Sequence, residues 1–226
     1  MSSPMVLERA VPQKAFVGVQ PAPSHGRRRV DALADRLAMH VESLVPRGRA
    51  RCLDVRCGDM TLAEAIQSRA PRSDWLCLDV DGSQLEHGCE EGSGRYRAFD
   101  GRTIPYGELE FDVALLCDVL HRTPKHAARL LAEAGRVAQR VLIKDHFEYG
   151  SYSRTMLRLM DFVGNWGYGV SVPERYFTRE AFVRLAKEQH LVITALDSGL
   201  DLYEHLPGMG KLLRPDWQFI AVLHVH

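Results

Sequence analysis

The sequence lacks a net charge. Over 226 residues, 29 Lys and Arg balance 29 Asp and Glu. Without a basic excess there is no bulk electrostatic attraction for nucleic acid, and composition gives that partner no support. Residues 1–51 do hold nine basic against four acidic side chains, and this reads as a solvated basic leader. Cysteine is scarce: five scattered residues follow no secreted disulfide pattern and offer no zinc ligand set. Cys52, Cys57, Cys77 and Cys117 are therefore expected as reduced thiols, without a metal. Also missing are a basic stretch leading into an apolar signal sequence and any apolar run long enough to span a bilayer, so a cytoplasmic chain with no transmembrane segment is expected.

What is present is ordinary for a soluble domain, with 46% hydrophobic and 26% charged residues, and the length suits one substantial core. Pro4, Pro12, Pro21, Pro23 and Gly26 mark residues 1–26 as a flexible leader, and residues 27–226 form the domain. From Arg27 to Val45, Val30, Leu33, Leu37, Val41 and Leu44 recur on one helical face, with Pro46 and Gly48 as the stop. Apolar runs near 52–55, 75–80, 96–99, 111–117, 141–144, 191–196 and from Trp217 onward read as strands, with helical patterns between most of them. Such alternation predicts an α/β, doubly wound, mostly parallel sheet with helices on both faces. Residues 150–177 are expected to add a small helical and aromatic cap.

The stretch Arg51–Thr61, RCLDVRCGDMT, turns a strand into a helix. A junction of this kind presents backbone N–H groups and the positive end of a helix to a polar ligand. It resembles the first motif of class I S-adenosylmethionine-dependent methyltransferases, D/E-x-G-x-G-x-G. Asp54 falls on the acidic position and Gly58 on the central glycine, while Arg56 and Met60 stand at the other two glycines. The resemblance extends along the chain in order: Asp79 after a second strand, Asp100 and Gly101 after a third, LCDVLH with Cys117 and Asp118 after a fourth, and IKDH after a fifth.

This resemblance implies a Rossmann-like methyltransferase that uses S-adenosylmethionine and releases S-adenosylhomocysteine. It places Asp54, Arg56 and Gly58 at the methionine end, Asp79 on the ribose hydroxyls, Asp100 and Gly101 at the adenine, and Cys117 and Asp118 along the pocket. His146, with Asp145 and Tyr149, is the candidate group for acceptor deprotonation or alignment, since ligands bind at the carboxyl edge of a parallel sheet. His121 is a candidate for substrate contact. The glycine-punctuated GNWGYG segment reads as a lid, and Met160, Phe162, Trp166, Tyr168, Tyr176 and Phe177 could line an apolar acceptor pocket. Arg154, Arg158 and Arg175 could meet an acidic acceptor. The expected acceptor is a small aromatic or lipid-like molecule, and the protein a monomer or homodimer. Two alternatives stay open: a catalytically altered homologue that keeps the cofactor, and a cofactor-free partner-binding domain.

Overall fold

A computed structural model describes residues 23–45, 48–80, 95–164, 172–202 and 212–225. Most of the expected leader lies outside this set, as do Trp166 and Tyr168 of the expected lid. Among the described residues no helix is long and apolar enough to cross a membrane.

Seven strands form one sheet: β1 (Ala50–Val55), β2 (Ser73–Asp79), β3 (Tyr96–Ala98), β4 (Phe111–Cys117), β5 (Ala138–His146), β6 (Leu191–Ser198) and β7 (Gln218–Val225). Their order is β3-β2-β1-β4-β5-β7-β6. Pairing is parallel from β3 through β5, and β7 runs antiparallel to both β5 and β6. The helices are α1 (Pro23–Leu44), α2 (Thr61–Arg69), α3 (Ala127–Val137), α4 (Ser151–Gly164) and α5 (Arg179–Glu188).

The strands read as unbroken apolar runs because the sheet is covered on both faces. Val113 and Leu115 of β4 pack in one cluster with Leu37 and Val41 of α1 and Ile66 of α2. Their neighbours Ala114 and Leu116 pack in the other, with Leu130 of α3 and Phe182 of α5. The strand order reverses between β1 and β4. In open sheets of this kind such a switch point leaves a crevice at the carboxyl ends of the strands.

Three boundaries differ from the sequence reading. Helix α1 starts at Pro23, inside the expected leader, because the fixed φ of proline suits a first helical turn. Helix α3 does not start at Thr123-Pro124: the Thr123 hydroxyl donates to the Val119 carbonyl (3.0 Å) and closes a 3-10 turn over Leu120–Arg122, and α3 begins at Ala127. Strand β5 does not stop at Lys144. Asp145 and His146 continue it, opposite Phe219 and Gln218 of β7, since an antiparallel partner supplies hydrogen bonds that the polar side chains alone do not advertise.

Candidate functional site

The loop after β1 is left-handed at three alternate positions, two of which carry side chains. Arg56, Gly58 and Met60 have φ of 69°, 60° and 62°. Left-handed backbone costs a non-glycine residue about 1–2 kcal/mol. Offsetting bonds hold the turn: the N–H groups of Arg56 and Cys57 donate to the Leu78 carbonyl at 2.7 and 3.1 Å. The N–H of Gly58 donates to Asp79 Oδ2 at 2.7 Å. Met60 is buried among α1 and α2 side chains, so its side chain anchors the start of α2 where a motif glycine would leave space.

Asp79 ends β2 where a ribose acid is expected. Its other oxygen, Oδ1, accepts the Val80 N–H at 2.6 Å and lies 3.8 Å from Arg56 Nε. The Arg56 guanidinium also reaches the turn after β3, since a Cβ placed on Gly101 would lie 3.7 Å from its Nη1. That Cβ would come within 2.9 Å of Val80 Cγ2, and with φ at +72° the position requires glycine. Asp100 is committed to the same turn: Oδ1 accepts the N–H groups of Arg102 (2.8 Å) and Thr103 (2.7 Å). These bonds hold its carboxyl below the usual range. Asp54 is buried at the end of β1, and burial, with the Asp79 charge second, pushes its carboxyl up to about 7.

A second set of side chains gathers where β4 and β5 end. Asp118 follows β4 at φ 56°. Its Oδ1 accepts from the fully buried Lys144 Nζ at 2.6 Å, and its Oδ2 from Arg29 Nη2 of α1 at 2.9 Å. Burial alone would raise this carboxyl, but Lys144, His146 and Arg29 outweigh burial and hold it well below the usual range. The thiol of Cys117, beside it, is pushed far up by burial and then by the Asp118 charge.

The two histidines are held in opposite states. Burial pulls His121 down, but Asp145 at its Nδ1 (2.5 Å) and Asp161 near its Nε2 (3.5 Å) outweigh this and push it up to about 9. His121 is therefore an imidazolium at neutral pH, clamped between carboxylates, and Asp161 also accepts the Tyr176 hydroxyl at 2.5 Å. His146 is pulled well down by burial and then by Lys144. Lys144 Nζ lies 3.4 Å from His146 Nε2, so the lone pair of the neutral ring faces the ammonium and the proton resides on Nδ1. That Nδ1 is buried without a hydrogen-bond partner.

The fold thus assembles a cluster that the scattered spacing did not reveal. Asp118, His121, Asp145 and His146 bring ligand-type atoms within 4.8 Å of one another, against the expectation of no metal-ligand set. The cluster's positive charge comes from Lys144 and the His121 imidazolium, and both His121 nitrogens face carboxylates. With Arg29 also on Asp118, a divalent ion would have to enter beside three resident cations, so these residues do not suit one.

Of the sequence candidates, the structure joins Asp54, Arg56, Gly58, Asp79 and Gly101 at one end of the crevice. It joins Cys117, Asp118, His121, Asp145 and His146 at the other. Tyr149 stands apart, exposed and edge-on to Phe147. Met160 packs with Leu157, Tyr176, Leu213 and Trp217. Arg29, Lys144 and Asp161 were missed. A lysine within the apolar run VLIK was the available signal, since a charge inside a strand covered on both faces must find a buried partner.

This fold, with its reversed last strand and its acids at successive strand ends, is that of a Rossmann-like methyltransferase. A profile of the methyltransferase domain family matches residues 53–141. Among solved structures, the chain is similar to an S-adenosylmethionine-dependent methyltransferase from Mesorhizobium loti, with 14% identity and a TM-score of 0.62, covering 86% of this chain and 99% of that one. It is also similar to the PH0226 protein of Pyrococcus horikoshii, with 13% identity and a TM-score of 0.63, covering 89% and 91%. A chain from the complex of the Haloferax volcanii Trm112 methyltransferase activator with a methyltransferase shows 13% identity and a TM-score of 0.62 over 89% and 96%. No curated protein sequence matches.

Proposed function

We propose that this protein is an S-adenosylmethionine-dependent methyltransferase acting on a small aromatic or lipid-like acceptor. The observation that carries the reading is the β1 loop: its backbone is left-handed at Arg56 and Met60, and its Gly58 N–H is tied to the acid that ends β2. Left-handed backbone at side-chain-bearing residues, held in place by surrounding bonds, is strain of the kind that gathers at ligand sites.

The residues fit the cofactor once Arg56 turns away. Its contact with Asp79 is 3.8 Å, and its side chain is one-third exposed. Asp79 would then accept ribose hydroxyls, the second oxygen of Asp100 would face the adenine end, and the loop around Gly58 and Cys117 would border the methionine end. The cofactor supplies an electrophilic methyl group on a sulfonium. The chain's part is to hold the acceptor in line and exclude water.

His146 serves this as a donor: its Nδ1–H, which makes no hydrogen bond of its own although Asp118 Oδ1 lies 3.4 Å away, orients an acceptor oxygen, while its Nε2 is closed to protons by Lys144. Asp145 supports His121 rather than touching the acceptor. Tyr149, exposed before α4, is not placed on the acceptor. With no free base among these groups, the acceptor is one that is already ionised or intrinsically nucleophilic. We place the protein in the cytoplasm as a monomer or homodimer.

Calorimetric titration with S-adenosylhomocysteine, after stripping any copurified ligand, is expected to give saturable one-to-one binding. Isotope-labelled methyl transfer to aromatic and lipid-like acceptors then follows. Absent binding transfers the reading to a cofactor-free partner-binding domain. Tight binding without transfer selects the altered homologue, the reading favoured by Arg56 lying over Asp79.

A further inference from the structure

A cavity of about 300 Å³ opens between α3 and α5, at the small end of the range of roughly 300–1,000 Å³ for small-molecule sites. Its deepest side chains are Leu120, His121 and Tyr176, all buried, with the half-buried Phe177 beside them. The exposed Arg175 and Arg184 stand at the mouth. No residue of the β1 loop contributes to its walls.

The mouth is electrostatically under-compensated. Arg175 Nη1 is 3.7 Å from Glu148, but that carboxylate already accepts two bonds of 2.9 Å from Arg154. Arg184 makes no ion pair among the described residues. Glu188 is the one carboxylate in the lining. Two guanidiniums against one carboxylate leave the mouth a single positive charge in excess, which matches a monoanion better than a phosphate dianion. Guanidinium forks match carboxylates in shape. Below them the two aromatic rings and Leu120 give the wall apolar surface on which an aromatic ring can pack.

We infer that this cavity binds an aryl carboxylate, with its rings against Leu120, Tyr176 and Phe177 and its carboxylate on Arg175 and Arg184. The inference goes beyond the methyl-transfer reading and does not rest on it. It gives His121 two neighbourhoods: one edge lines the cavity, while its nitrogens hold Asp145 and Asp161 at the sheet edge.

The test is calorimetric titration of the whole protein with 2-naphthoate and with its neutral counterpart 2-naphthalenemethanol, and separately with S-adenosylhomocysteine. Naphthoate is expected to bind one-to-one, and the alcohol about tenfold more weakly or worse, because it loses the charge-assisted bonds. The double variant R175Q/R184Q should weaken naphthoate by a similar factor. Ala128→Trp, at an exposed position of α3 that lines the cavity, should abolish it while leaving adenosylhomocysteine binding and the thermal midpoint unchanged. No saturable naphthoate binding to the unmodified protein overturns the proposal. So does equal binding of acid and alcohol, or binding that survives both variants. Should Ala128→Trp fail to fold, the arginine variant decides alone. Failure of adenosylhomocysteine to bind while naphthoate binds would sink the methyltransferase reading and leave this site standing.

Discussion

At the scale of single residues, Arg56 carries the sharpest consequence. It occupies a left-handed position that favours glycine, and its guanidinium lies between Asp79 and the turn at Gly101. Arg56→Gly should therefore raise S-adenosylhomocysteine affinity about tenfold, a gain of about 1.4 kcal/mol, by freeing the ribose acid and relieving the backbone. Calorimetry on the two proteins checks this; weaker binding by the variant would show that Arg56 is itself a ligand contact. Residue positions were readable from the sequence where order along the chain carries them: Asp54 lies in the last two residues of β1, Asp79 ends β2 and Asp118 follows β4. Roles were not readable where they depend on a distant partner. Arg29 meets Asp118 across 89 positions and Lys144 meets it across 26, and no local pattern signals either meeting. The state of His146 was hidden for a related reason, because it is set by burial in the folded sheet and then by the ammonium of Lys144, two residues back on the same face of the strand.

At the scale of elements, strands were easy to find and their ends were not. A strand covered on both faces writes itself as an apolar run, which is why β4 appears in the sequence as FDVALLC with its limits intact. The end of β5 is polar, and only pairing with β7 makes Asp145 and His146 strand residues. Helix α5 shows how the layers lock. Its Phe182 is fully buried, with ring centroids 4.8 Å from Phe219 of β7 and 6.0 Å from Phe147 after β5. Phe182→Ala should cost about 3–5 kcal/mol of unfolding free energy through lost burial and the cavity left behind. The neighbouring Val183→Ala, at a 43% exposed position, should stay within about 0.5 kcal/mol. Urea unfolding of both variants measures the contrast, and similar losses at the two positions would contradict the packing described.

At the scale of the whole molecule, the buried charges fix how stability varies with pH. His121, raised to about 9 from 6.5, contributes stability that is full below its unfolded value and lost as pH climbs through about 9. Asp54, raised to about 7 from 3.8, likewise favours the folded state at low pH and loses its contribution as pH rises through about 7. Asp118 and Asp161 act in the opposite sense, being lowered in the fold, Asp161 to about 2; their contribution is present above 3.8 and lost as pH falls. His146, lowered in the fold from 6.5, adds stability as pH rises toward 6.5 and offsets Asp54 there. The urea midpoint of the protein should therefore stay level from about pH 4 to about pH 6.5 and decline toward pH 9, since a tenfold difference in proton affinity between the folded and unfolded chain is worth about 1.4 kcal/mol. His121→Gln should flatten the limb above neutrality, and a peak at alkaline pH would refute the charge arrangement. The reversed strand β7 has a consequence for how the protein is made. It lies later in the chain than every other described element, yet it sits inside the sheet, and β6 has no other neighbour. While a ribosome is still extending the chain, β5 therefore offers a bare edge and β6 has nothing to pair with, however well the first five strands have settled. The nascent protein needs protection from edge-to-edge association until Gln218–Val225 emerges, since without β7 the sheet ends at β5 and β6 stays unpaired.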